Sequence, residues 1–168
     1  LDQSANTITV NVTAVNDAPV VTVPGAQTVD EDTDLAITGI SVADVDAANA
    51  SITVTLAVAS GTLAVGSVTG GASISGSGTA TVTLTGTVAQ INATLAAANN
   101  VVYRGNANFN GSDSLTVSVD DGGNTGSGGS LTDSDSVSIT VSPVNDAPVV
   151  TVPGAQTVDE DTDLAITG

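Results

Sequence analysis

The side chains that could do chemistry in this chain are almost all carboxylates. The sequence holds 18 Asp and Glu residues against one basic residue, Arg104, and it contains no Cys, His or Lys. Thiol and imidazole catalysis, thiolate and imidazole metal sites and Schiff-base chemistry are therefore excluded. Hard divalent cations remain, because calcium takes its ligands from carboxylate, amide and backbone oxygens.

The acidic residues fall in clusters, and the clusters lie at the ends of predicted strands or at a junction between units. An Asp-x-Asp loop such as Asp44 to Asp46 lets two carboxylates from one loop converge on an ion. Any single Asp-rich loop is equally well explained by solvation and turn propensity, but four clusters without a Lys to pair them favour calcium. The candidate ligands are Asn16, Asp17, Asp30, Glu31, Asp32, Asp44, Asp46, Asn49, Asp120, Asp121, Asn145 and Asp146.

Two further acidic residues are expected to take no part in such a site. Asp133 and Asp135 lie in a stretch rich in Gly and Ser, for which we predict a loop with no facing partner. They therefore serve as reference positions against which the predicted ligands can be compared.

The formal net charge of -17 limits the partners that the chain can have. Self-repulsion opposes compaction unless cations neutralise it, and it argues against nucleic acid and anionic membranes as partners. No apolar run approaches the roughly 20 residues that span a bilayer, so we expect no direct membrane insertion. Paired carboxylates can hydrolyse glycosides, but Tyr103 and Phe109 are the only aromatic residues and are expected in the core. We therefore expect no enzyme activity.

The elements that must position these residues are strands. Apolar and small polar residues alternate strictly in four segments, a period typical of half-buried strands. These are Ile8 to Val12, Ile52 to Val58, Leu115 to Val119 and Val137 to Val141. Clusters of Gly, Asn and Asp separate them, which predicts an immunoglobulin-like Greek-key sandwich of seven or eight strands.

One segment departs from the strand period. Residues 87–97 space Val88, Ile91 and Leu95 by three and four, and Thr85 or Thr87 can cap the segment. We predict a single short helix here, packed against one edge of the sandwich.

An internal repeat sets the organisation of the chain. The sequence from Asn16 to Gly39 recurs without change from Asn145 to Gly168, and the residues upstream of each copy also match. We therefore divide the chain into the terminal strand of a preceding repeat (1–15), one complete repeat (16–144) and the start of a following repeat (145–168). Such identity is typical of recently duplicated arrays, so neighbouring identical repeats in the same chain are the expected partners.

The junction and one internal segment resemble a known family. The motif Val-Asn-Asp-Ala-Pro at Val15 to Pro19 returns at Val144 to Pro148, and the segment YRGNANFNGSDS from Tyr103 leads into Leu115 to Gly122. Together they are similar to the cadherin-like tandem repeats of giant bacterial RTX and biofilm adhesins. The resemblance implies a β-sandwich that binds Ca²⁺ between successive domains, with ligands at the candidate positions above, although the cadherin Asp-Arg-Glu motif has no counterpart.

From these observations we expect an extracellular repeat of a secreted or surface-anchored bacterial adhesin. Its expected function is that of a stalk extender stiffened by calcium, and the chain on its own is expected to be monomeric. One alternative is direct binding of carbohydrate, ice or a like repeat on another cell through exposed Thr, Ser and Asn faces. Another is an accessory module of a secreted hydrolase.

Overall fold

The computed structural model describes residues 7–124 and 126–167, and within these the chain is an all-β sandwich with one short helix, as predicted. No helix of the described chain is long and apolar enough to span a membrane. The strands are β1 (Val20–Thr22), β2 (Gln27–Asp30), β3 (Asp34–Ala36), β4 (Ser41–Ala43), β5 (Ile52–Ala57), β6 (Gly61–Val65), β7 (Ser73–Ser75), β8 (Thr81–Gly86), β9 (Val101–Gly105), β10 (Gly111–Asp120) and β11 (Thr132–Ser142). Helix α1 (Val88–Ala96) lies between β8 and β9.

The strands form one large sheet and two small ones. The large sheet has the order β2-β11-β10-β5-β8-β7, while β3-β9-β6 and β1-β4 form the others. All pairs are antiparallel except β2 with β11, which run parallel. Alternation in the sequence produces the core: Leu115, Val117 and Val119 of β10 are buried, whereas the Ser and Thr residues between them face outwards.

Helix α1 begins where the sequence predicts it. Thr87 is the N-cap, and its side chain and that of Gln90 form a reciprocal capping box. Ile91 and Leu95 are buried in the common core, as their spacing predicts, and Val88 packs against it. The three- and four-residue spacing is thus explained by one apolar helix face.

The strand count differs from the prediction of seven or eight, because extended segments are interrupted and change sheets. Residues after Asn16 form β1, which pairs with β4, and then β2, which pairs with β11. Pro24 and Gly25 separate the two, since Pro cannot donate to a ladder. The residues between Asn16 and Glu31 therefore contribute two short strands to two different sheets.

The predicted strand at Ile8 to Val12 is not formed. Ile8, Val10 and Val12 are 87%, 76% and 89% exposed, and only Val15 of the neighbouring residues makes a β-bridge. Alternation alone therefore does not establish a strand here, and the described part of the chain offers this segment no strand to pair with.

Strands β10 and β11 define the long axis of the sandwich. They pair in register from Gly111 with Val141 to Asp120 with Thr132, which spans about 30 Å at ordinary strand rise. We call the end at Asp120 the entry end and the end at Gly111 the exit end.

Candidate metal-binding ends of the sandwich

At the entry end, two predicted carboxylates hold a tight loop after β4. Asp44 Oδ1 accepts hydrogen bonds from the amides of Asp46 (2.8 Å) and Ala47 (2.9 Å). Asp46 Oδ2 in turn accepts from the amide of Asp17, at 2.6 Å. The Asp-x-Asp loop and the junction residue Asp17 are therefore neighbours.

The same end contains a buried carboxylate that serves the structure. Asp121 is 2% exposed, and its Oδ1 accepts from the amides of Gly123 and Leu131, both at 2.8 Å. Its Oδ2 accepts from Asn16 Nδ2 at 2.6 Å. Burial alone would raise the pKa of Asp121, but these donors and the side chain of Ser130 outweigh it and lower the pKa below its usual value.

Asp120 lies beside this carboxylate and is exposed. Its Oδ1 accepts from the Gly122 amide at 2.8 Å and from the Ser130 hydroxyl. The exposed Asp120 and the buried Asp121 therefore both hold the segment that joins β10 to β11, which we call the Gly-rich loop.

At the exit end, Glu31 is the central residue. It is 6% exposed, and its Oε1 accepts from the amide of Val144 at 2.6 Å while its Oε2 accepts from Asn110 Nδ2 at 3.2 Å. The Glu31 amide donates to the carbonyl of Ser142 at 2.9 Å, which extends the parallel pairing of β2 with β11. Glu31 thus ties the first strands of the repeat to its last residues.

The neighbours of Glu31 form a turn at the same end. Asp32 adopts a left-handed backbone (φ 58°), and its Oδ1 accepts from the Asn108 amide at 3.1 Å. Its carbonyl accepts from Arg104, which also forms an exposed ion pair with Asp34 at 2.9 Å. Asp30 is exposed, and its carbonyl accepts from Thr33.

The structure therefore divides the predicted ligands between the two ends of one sandwich. Asn16, Asp17, Asp44, Asp46, Asp120 and Asp121 lie at the entry end, whereas Asp30, Glu31 and Asp32 lie at the exit end. Asn49 is exposed in a turn, and Asn145 and Asp146 are exposed beyond β11. In residues 7–124 and 126–167, no three acidic side chains form a group that could hold a metal ion.

The prediction for Asp133 and Asp135 is wrong, because both lie in β11 rather than in a loop. Asp133 Oδ2 accepts from the amide of Val21 at 2.8 Å, so it fixes β1 against the large sheet. Asp135 lies in mid-strand opposite Val117 and is exposed. Of the two, only Asp135 is a suitable reference position.

Sequence reasoning also missed a buried carboxylate, Asp113. It is 8% exposed and accepts from the amides of Ala59, Ser60 and Ser114 and from the hydroxyl of Tyr103. The signal was available, because Asp113 is in phase with the buried positions of β10. It lies near the exit end but faces the core, so it is structural.

Comparison with known proteins adds nothing to these observations: no family model matches the chain, and no curated protein or solved structure is significantly similar to it.

Proposed function

We propose that this chain contains one repeat of a calcium-stiffened stalk, and that calcium is bound where the exit end of one repeat meets the entry end of the next. The observation that carries the proposal is the division of acidic residues between opposite ends of β10 and β11. The exact recurrence of residues 16–39 at 145–168 supports a tandem arrangement of such ends.

The ligand set of such a junction follows from the repeat. Glu31 would come from the exit end, because each of its oxygens accepts only one hydrogen bond and keeps a second lone pair, whereas Oδ1 of Asp121 accepts two. Asn145 and Asp146 would come from the linker. The next repeat would supply the counterparts of Asp44, Asp46 and Asp120, which lie beside the linker at the entry end seen here. Each end of a single repeat thus offers part of a set of six to eight oxygens, the coordination that calcium takes.

Calcium would supply positive charge that offsets the repulsion of these carboxylates and would hold two repeats in one orientation. With a Kd near 10⁻⁴ M, typical of the tight extracellular modules, an ion at 100 times Kd adds about 2.7 kcal/mol per site. This is a large fraction of the roughly 5–15 kcal/mol that stabilises an ordinary domain. A stalk built this way is stiff in calcium and flexible without it.

We place the repeat in an extracellular bacterial adhesin, where it would hold a binding domain away from the cell. A calcium-dependent stalk suits an extracellular protein, because extracellular modules bind calcium with Kd values of about 10⁻⁴–10⁻³ M. The excess of carboxylates over basic residues also gives a protein that repels nucleic acid and anionic membranes.

A second function, direct binding through the sheet surface, is favoured by one observation. The outward face of β5, β10 and β11 is lined with hydroxyl side chains, among them Thr53, Thr55 and Ser118. Such a face can donate hydrogen bonds to sugars, but it has no aromatic side chain on which a sugar ring could stack. Glycan arrays and bead aggregation, each with and without calcium, separate this function from a stalk.

The stalk proposal is tested with a chain carrying two complete repeats, made by continuing the sequence after Gly168 with residues 40–144. Calorimetric titration should show calcium binding at the central junction, with magnesium much weaker, since magnesium is smaller and demands octahedral geometry. Asp146→Asn should abolish the tightest binding step. Asp135→Asn, which removes the same charge from mid-strand, should leave that step unchanged.

The two variants separate specific binding from charge screening. If Asp135→Asn weakens calcium binding as much as Asp146→Asn, the ions act only by screening and the junction site does not exist. Asp121→Ala is unsuitable as a test, because Asp121 is buried and holds its loop through hydrogen bonds in the absence of any ion.

A further inference from the structure

The residues that enter the repeat are already hydrogen-bonded to it. The amide of Ser127 donates to the carbonyl of Ala14, and the amide of Asn16 donates to the carbonyl of Ser127, both at 3.0 Å. These two bonds form a short parallel bridge between Val15 and the Gly-rich loop. The Asn16 side chain adds bonds to Asp121 Oδ2 at 2.6 Å and to the carbonyl of Gly129 at 2.9 Å.

Gly126 lets the Gly-rich loop approach the backbone of Val15 and Asn16 closely. A Cβ atom at Gly126 would lie 2.6 Å from both the amide nitrogen of Asn16 and the carbonyl carbon of Val15, closer than real Cβ atoms approach. Gly126 also has a φ of +83°, which favours glycine. Gly129 has a similar φ of +80°, but nothing lies within 4 Å of its Cβ position. The absence of a side chain at position 126 is therefore what lets the incoming chain approach.

The residues that follow β11 are also hydrogen-bonded to the repeat. Val144 is the repeat counterpart of Val15, and its amide donates to Glu31 Oε1 at 2.6 Å. In an extended chain, the C=O of one residue and the N–H of the next residue point to opposite sides of the strand. Because the carbonyl of Ala14 and the amide of Asn16 face the loop, the amide at position 15 points away from it. The counterpart of Glu31 can therefore bind this amide without displacing the loop.

We propose that every linker is a latch shared by two repeats: its valine amide binds Glu31 of the repeat it leaves, and the residues on either side of that valine pair with the Gly-rich loop of the repeat it enters. The latch rests on the tandem arrangement of the proposed function, but it uses protein hydrogen bonds alone. It fixes the path of the linker before calcium binds, so that calcium adds stiffness to a junction whose carboxylates already lie side by side.

The latch is tested first in the full chain, in a chelator, by amide hydrogen exchange measured by nuclear magnetic resonance. We expect the amides of Asn16, Ser127 and Val144 to be protected, although Val144 is half exposed. Gly126→Ala should accelerate exchange at Asn16 and Ser127 by about tenfold or more, the effect of losing an ordinary hydrogen bond, and should leave Val144 unchanged. Gly70→Ala, at a φ of +74° with nothing within 4 Å of its Cβ position, carries similar backbone strain away from the latch and should preserve protection.

The bond between Glu31 and the Val144 amide is tested by the same hydrogen-exchange measurement. Glu31→Ala should expose the Val144 amide alone, while Glu31→Gln, which keeps an acceptor oxygen, should retain part of its protection. If the three amides exchange freely in chelator and become protected only in calcium, the latch is wrong although the calcium junction stands.

In the chain with two repeats, Val144 and Asn145 at the central junction should be protected together. Protection of one at the expense of the other would show that the two repeats compete for the linker, which also overturns the latch. If calcium binds nowhere but this joint protection is found, the calcium proposal fails and the latch stands.

Discussion

Replacing Asp113 with Asn should destabilise the repeat strongly, because the carboxylate is buried among four donors. Oδ1 accepts from the amides of Ala59 (3.1 Å) and Ser114 (2.8 Å). Oδ2 accepts from the amide of Ser60 (2.9 Å) and the hydroxyl of Tyr103 (3.0 Å), and Tyr103 is fully buried. An Asn amide group in place of Oδ2 leaves the Ser60 amide without an acceptor.

The magnitude follows from the two bonds made by Oδ2. Hydrogen bonds to charged groups contribute about 1.5–3 kcal/mol each, and the smaller burial cost of a neutral amide offsets part of their loss. We expect Asp113→Asn to lower the free energy of unfolding by about 2–4 kcal/mol. Tyr103→Phe removes one donor and should cost about 1–2 kcal/mol. The double variant should cost less than the sum, since both changes remove the same bond.

The effect should also depend on pH. Burial alone would raise the pKa of Asp113, but the hydrogen bonds from Ser114, Ser60, Ala59 and Tyr103 outweigh it and lower the pKa. A lowered folded-state pKa contributes stability that is present above the unfolded pKa of about 3.9 and is lost as pH falls through the folded value. The advantage of the natural chain over Asp113→Asn should therefore shrink below about pH 4.

Urea denaturation in chelator, followed by circular dichroism between pH 3 and 8, measures this difference. The difference between variants is required because acid also relieves the repulsion of the other carboxylates, which stabilises both chains alike. A change below about 0.5 kcal/mol, the range of surface substitutions, or one that does not vary with pH, would refute the reasoning.

Two further predictions concern α1, and urea denaturation tests both. Ile91→Asp should destabilise the repeat by about 2–5 kcal/mol, because Ile91 is fully buried and a charge would enter the core. An unchanged free energy of unfolding would contradict its place there. Asn92→Ala should cost about 1–3 kcal/mol, since the Asn92 amide bonds both the N–H and the C=O of Val42 and so closes the edge of β4. Substitution of the exposed Ala93 by Ser should be nearly neutral, and an equal loss there would show that the edge contact is unimportant.

Within residues 16–144, strands and the helix could be predicted where an apolar period was present, whereas the same period at Ile8 to Val12 is not accompanied by a strand. The alternation at Leu115 to Val119 and the spacing of Val88, Ile91 and Leu95 each identify one buried face, and the structure confirms both. The first half of β11 could not be found in this way. Thr132 to Ser136 are polar on both faces, so their strand conformation depends on pairing with β10, a long-range contact that leaves no local pattern.

The candidate site was predictable in residue type but only partly in arrangement. The acidic clusters were visible, yet their separation into two ends depends on the directions of β2, β10 and β11. The parallel pairing that brings Glu31 to Val144 joins residues far apart in sequence. Asp121 was predicted as a ligand candidate, but hydrogen bonds from its own loop and Asn16 occupy both of its oxygens.

The most direct test of the stalk is small-angle scattering on the chain with two complete repeats, in calcium and in chelator. If calcium fixes the junction, the maximum dimension should be larger and sharply defined in calcium and should become smaller and more variable in chelator. Asp146→Asn should give the chelator result even in calcium, whereas Asp135→Asn should behave as the natural chain. The same maximum dimension in calcium and in chelator would contradict the account, even if calcium binding were established.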